Sequence, residues 1–251
     1  MDGNVGYALL LTLGAGLSTA IGGLIALAVK KPGPRFMGFT LGFSAGVMVH
    51  VSFVELLPHA VDTIDFMPAH LAFFVGMGAV FLIDFLVPHA WIGQHDHTEE
   101  QGKLMRTGLL VALGIGIHNF PEGLATFAGA MKSPELGVAI AVAIAIHNIP
   151  EGLAVAAPVY AATGSRKKAF GWTLVSGLSE PAGALVAALL LGPFLTEEVL
   201  AVFLALVAGF MVAIALDELV PAAKSFESEH SPILGVIAGA AVMALSLWLL
   251  G

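Results

Sequence analysis

The chain has 251 residues, 58% of them hydrophobic and 11% charged, with a formal net charge of −8 and no cysteine. An ordinary soluble domain carries roughly 25% charged residues, so this composition and a mean hydropathy of +0.93 indicate a polytopic membrane protein. The acidic balance excludes a nucleic-acid partner, which needs a basic surface, and the lack of cysteine removes disulfides and thiolate metal sites.

Eight largely apolar stretches of 18 or more residues follow in order: Gly6–Val29, Phe36–Leu57, Ala69–Trp91, Met105–Met131, Glu135–Tyr160, Ala169–Leu191, Val199–Val220 and Ile233–Leu250. Each is long enough to cross a hydrocarbon core of about 30 Å as a helix, and residues 1–251 are expected to form one transmembrane domain. No basic segment precedes the first stretch, so it reads as a retained helix and not a cleaved leader. The connections are short and carry turn residues, as in Lys30-Lys31-Pro32-Gly33-Pro34, Lys132-Ser133-Pro134 and Gly192-Pro193.

Basic residues orient the spans. With eight crossings, Lys30, Lys31, Arg35, Lys103, Arg106, Arg166, Lys167, Lys168 and Lys224 share one side, and only Lys132 lies on the other. That bias places both termini outside and the His95-Asp96-His97 loop in the cytoplasm, as expected of a multi-pass protein of the cell inner membrane.

In the second span Met48, Ser52, Glu55 and His59 recur at i, i+4, i+7 and i+11, a stripe from the midplane to the outer surface that reads as an entrance. The third span carries Asp84 and His89 toward its inner end. The fourth and fifth hold one motif written twice, His118-Asn119-Phe120-Pro121-Glu122-Gly123-Leu124-Ala125 and His147-Asn148-Ile149-Pro150-Glu151-Gly152-Leu153-Ala154, identical at seven of eight positions. A His and a Glu four residues apart share a helix face, and the intervening Pro frees the carbonyl of Ile117 in one copy and of Ile146 in the other. The sixth span places Glu180 mid-membrane, and in the seventh Met211, Asp217 and Glu218 run toward the cytoplasm as an exit.

A second repeat relates the outer spans. Gly16–Ala26 matches Gly177–Ala187 at an offset of 161, and Gly46–Ala60 matches Gly209–Ala223 at an offset of 163. Five helices along the chain reverse direction, so spans 1–3 and 6–8 are expected to be inverted repeats around an antiparallel central pair. The expected fold is all-α, eight transmembrane helices in a 3+2+3 arrangement, which is an architecture of transporters with a midplane site.

A carboxylate at the centre of a membrane helix costs roughly 3 kcal/mol on insertion scales, and Glu122, Glu151 and Glu180 place three there. With two imidazoles, two amides and no basic side chain at that depth, a divalent cation is the expected compensating charge. Mixed imidazole and carboxylate donors suit Zn²⁺ or Fe²⁺ better than Mg²⁺ or Ca²⁺.

The paired His-Asn-x-Pro-Glu-Gly motifs, Gly177-Leu178-Ser179-Glu180-Pro181, Gly46-Val47-Met48 and the 3+2+3 repeat resemble the ZIP (Zrt/Irt-like) divalent metal transporters, in particular their short bacterial branch. The resemblance spans essentially the whole chain. It implies a binuclear site, with His118, Glu122, His147, Asn148 and Glu151 at one metal, Met48 as a softer ligand there, and Asn119, Glu122, Glu151 and Glu180 at the other.

The expected function is a secondary transporter that imports Zn²⁺ and other first-row divalent ions (Fe²⁺, Mn²⁺, Co²⁺) by alternating access. The metal is then substrate, not cofactor. The expected partners are the ion and the lipid bilayer, with a homodimer held open. The alternative is an intramembrane metalloenzyme whose His and Glu residues hold catalytic zinc. Neither motif copy has the His-Glu-x-x-His spacing of a zincin helix, and an enzyme has little use for an inverted copy of its site.

Overall fold

The computed structural model describes residues 4–29, 33–86, 99–191, 196–226 and 230–250, and every regular element among them is helical. In chain order these are α1 (Val5–Ala28), α2 (Pro34–Ile64), α3 (Phe66–Leu86), α4 (Glu99–Lys132), α5 (Pro134–Thr163), α6 (Arg166–Val186, continued by a π-helical turn Ala187–Leu191), α7 (Glu197–Ser225) and α8 (Ser231–Leu250). Among the described residues six are long and apolar enough to cross a membrane, namely α1, α2, α5, α6, α7 and α8, while α3 supplies a shorter apolar stretch, Phe66–Leu82.

The helix starts follow local chemistry. The side chains of Asn4, Ser165 and Thr196 accept from the backbone N–H three residues on, satisfying donors that the first turns of α1, α6 and α7 leave open. Pro34 and Pro134 open α2 and α5, where a missing N–H costs nothing. Gly164 closes α5 at φ +61, the left-handed conformation glycine adopts without penalty, and its N–H donates to the Tyr160 carbonyl at 2.8 Å.

Both α2 and α7 contain one wide turn, Ser52–Leu56 and Ala215–Leu219, where the helix takes π pitch. Each ends two residues before a proline, Pro58 or Pro221. The N–H of Leu57 reaches back five residues to Ser52, and that of Val220 to Ala215. The two turns are 163 residues apart, the offset of the second sequence repeat.

Packing sorts the helices into two groups. α1, α4, α5 and α6 pack on one another, and α2 packs extensively on α8 and α3 on α7; the groups meet where α2 touches α5 and α4 touches α7. Glycines set the closest approaches. A Cβ on Gly22 would overlap the Ile149 carbonyl, and one on Gly183 would overlap that of Phe120. Likewise Gly152 lies against the Thr19 carbonyl, and Gly123 against that of Glu180. Gly46 meets Val236, and Gly209 meets Phe73. Within each pair of crossings the second follows from the first by the sequence offsets.

The polarity of the molecule is turned outward in. Phe74 and Phe81 of α3 and Trp248 of α8 are 62%, 70% and 76% exposed, while Glu151 and Glu180 are fully buried. Such a surface is stable against lipid and not against water.

Candidate metal centre

Both motif prolines are accommodated inside continuous helices, Pro121 in α4 and Pro150 in α5, so each motif keeps its i, i+4 face. The helices lie against each other, and Glu180 of α6 reaches the same region. Asn119, Glu122, His147, Asn148, Glu151 and Glu180 are all buried, none more than 4% exposed. Glu122 and Glu151 both lie within electrostatic range of Glu180, and His147 lies within range of the same two carboxylates.

The bonds within this cluster cross between helices. Nε2 of His147 donates to Oε1 of Glu122 at 3.0 Å, tying α5 to α4. The Asn148 amide donates both to Oε2 of Glu180 at 2.9 Å and to the Ala15 carbonyl of α1 at 3.1 Å. On the other side Asn119 donates to the Ser176 carbonyl of α6 at 3.4 Å. These bonds use donors and leave acceptors over: Oδ1 of Asn119, Oδ1 of Asn148 and Oε1 of Glu180 are buried without a hydrogen-bond partner. Buried oxygens of this kind cost free energy unless something positive or protic meets them, so the donor set fits a cation.

As the side chains stand, no three His, Asp or Glu groups among the described residues converge into a metal-binding sphere. The His147–Glu122 bond spans two expected ligands, and coordination at Nε2 requires it to open. The backbone places His118 one turn before Glu122 on α4; its side chain, like that of Asp84 on α3, lies outside the described part. His89 and the His95-Asp96-His97 loop also fall outside the described residues.

Along α2, Met48 and Ser52 are fully buried, and the Ser52 hydroxyl donates to the Met48 carbonyl at 2.7 Å. Glu55 and His59 are exposed. The wide turn Ser52–Leu56 rotates everything beyond it, so the four residues do not keep the single face that uniform α pitch gives. On α7 Met211 is buried, Asp217 exposed and Glu218 8% exposed, with Glu218 beside the Arg106 guanidinium of α4 at 3.8 Å.

Two contacts at the site were not anticipated. The Ser44 hydroxyl of α2 donates to the Pro150 carbonyl of α5 at 2.6 Å, bonding one helix group to the motif itself. Ser44 lies one turn before Met48 on the same face of α2, which was the available signal. The Arg106–Glu218 pair had none, because the charges sit 112 residues apart on helices whose adjacency only the fold reveals.

The family model described as ZIP Zinc transporter matches residues 88–247. The chain belongs to the ZIP family. The protein named Zinc transporter ZupT in Corynebacterium efficiens is 49% identical, covering 98% of this chain and 98% of its own length. Those of the same name in Chlorobium phaeovibrioides and Lysinibacillus sphaericus are 53% and 48% identical, covering 97% and 100% of both chains. ZIP membership makes the chain a transporter and not an enzyme, and a metal ion its cargo and not a cofactor. The metalloenzyme alternative is therefore not favoured.

Proposed function

We propose that this ZIP protein imports Zn²⁺, and with it Fe²⁺, Mn²⁺ and Co²⁺, into the cytoplasm across the inner membrane by alternating access. Its eight helices form a 3+2+3 inverted repeat with both termini outside, and the reciprocal glycine crossings support that reading. The cargo sits between α4, α5 and α6 as a binuclear centre. His118, Glu122, His147, Asn148, Glu151 and Met48 serve one ion, and Asn119, Glu122, Glu151 and Glu180 the other. Ser52, Glu55 and His59 line the entrance; Asp84, His89, Met211, Asp217 and Glu218 line the exit.

The observation that carries this reading is the cluster of three buried carboxylates, with the amide oxygens of Asn119 and Asn148 and Oε1 of Glu180 left without donors. Zn²⁺ uptake into proteoliposomes tests it. Glu122→Ala and His147→Ala are each expected to lower uptake at least tenfold, since each removes a charged or imidazole ligand from a dry site. Parental uptake by either variant would remove these residues from the site.

A further inference from the structure

Thr19 of α1 stands where the repeat places Glu180 in α6, 161 residues on, and it is fully buried. The amide-to-carbonyl bonds of the two halves match. Asn148 donates to the Ala15 carbonyl and Asn119 donates to that of Ser176, which are equivalent positions. Asn148 also reaches the carboxylate of Glu180. Its counterpart Asn119 would have to reach Thr19, whose side chain is two bonds shorter, and both Oδ1 of Asn119 and Oγ1 of Thr19 are buried without a hydrogen-bond partner.

A helical threonine normally settles its hydroxyl on the carbonyl four residues back, as Thr12, Thr63, Thr163 and Thr173 do here. For Thr19 that acceptor is the Ala15 carbonyl, which already takes the Ser18 hydroxyl at 2.5 Å and the Asn148 amide at 3.1 Å. The acceptor that Thr19 would use on its own helix is thus taken by Ser18 and Asn148. The Thr19 hydroxyl and the Asn119 amide oxygen are left without a hydrogen-bond partner, at positions that the repeat pairs as it pairs Glu180 with Asn148.

We propose that Thr19 is a cargo-positioning residue, whose hydroxyl oxygen accepts a proton from a water molecule kept by the transported divalent cation that Asn119 ligates. The inference rests on the inverted-repeat transport reading above. A carboxylate takes a bare ion where Glu180 stands; the shorter, neutral Thr19 hydroxyl suits a metal-bound water, whose O–H groups donate. The asymmetry then lets the ion be dehydrated on one face only, leaving it less tightly held and easier to release.

Thr19→Val removes the hydroxyl at nearly constant volume, and Thr19→Ser keeps it. Zn²⁺ titration of the purified full chain by calorimetry, and uptake into proteoliposomes, are expected to show Kd and KM raised about 3- to 10-fold in Thr19→Val, the worth of one hydrogen bond. Maximal uptake should stay within about twofold, and Thr19→Ser should behave as the parent. Parental Kd in Thr19→Val would overturn the proposal, and so would equal impairment in both variants, which would trace the effect to packing. A parent that binds Zn²⁺ but carries none would overturn the transport reading, while the calorimetric comparison would still decide the role of Thr19.

Discussion

At the scale of single residues the centre is a set of donors already spent and acceptors held in reserve. The His147–Glu122 bond is the main instance: the same two atoms that meet at 3.0 Å are expected ligands. An ion that takes both must expel the proton between them, so binding is coupled to proton release and tightens as pH rises. Calorimetric Zn²⁺ titrations in buffers of different ionisation enthalpy should report about one or more protons released per ion; heats independent of the buffer would show that His147 and Glu122 do not bind it together. The doubled motif was legible in the sequence because identity at seven of eight positions singles out these side chains without any fold. The place of Ser44 one turn before Met48 was legible, but its bond to Pro150 was not, since a serine among small residues in an apolar helix looks like packing until its neighbour is known.

At the scale of helices, glycine carbonyl contacts decide how close the elements come. Gly209 of α7 has the Phe73 carbonyl where its Cβ would be, whereas Gly78 of α3 has nothing within 4 Å. Gly209→Leu should therefore force α3 and α7 apart, lowering the melting temperature in detergent by the equivalent of about 3 kcal/mol or more. Gly78→Leu should leave it within about 0.5 kcal/mol of the parent, and equal effects at the two positions would contradict the packing described. The helix starts at Asn4, Pro34, Pro134 and Ser165 could be read from capping chemistry. The π turns could not, although Pro58 and Pro221 mark both: a proline in a helix can be met by a kink, a freed carbonyl or a wide turn, and α4 and α5 carry Pro121 and Pro150 without one.

At the scale of the molecule the two helix groups meet where α2 lies on α5 and α4 on α7, with Ser44 bonded to Pro150, Arg106 paired with Glu218, and one apolar cluster running across the junction from Met48 and Met211 to Ile115 and Val155. The alternating access proposed above, if it moves one group against the other, has to slide this apolar junction and break those two polar contacts, while the pairings α2 with α8 and α3 with α7 stay intact. The chain has no cysteine, so its orientation can be measured on single-cysteine variants without a background. In right-side-out vesicles a membrane-impermeant maleimide should label Asp62→Cys and leave Lys167→Cys unlabelled until the membrane is opened; the reverse pattern would invert the topology read from the basic residues. The all-helical, membrane-spanning character was legible in hydropathy and composition, and the two sequence offsets reappear in the paired wide turns and glycine contacts. The junction between the helix groups was not legible, because it depends on which faces of α2 and α7 turn toward the central pair.

The paired wide turns of α2 and α7 also show where the two halves of the chain agree most closely. A π turn takes roughly one residue more than the α pitch needs. Both helices take up that extra residue at the same place in the 163-residue offset, each with a proline two residues after the turn ends, although eight of the fifteen positions compared, Gly46–Ala60 with Gly209–Ala223, differ. An irregularity of the backbone is thus shared where most side chains are not, while Glu180 and Thr19 stand on backbones that cross alike and differ in the side chain alone.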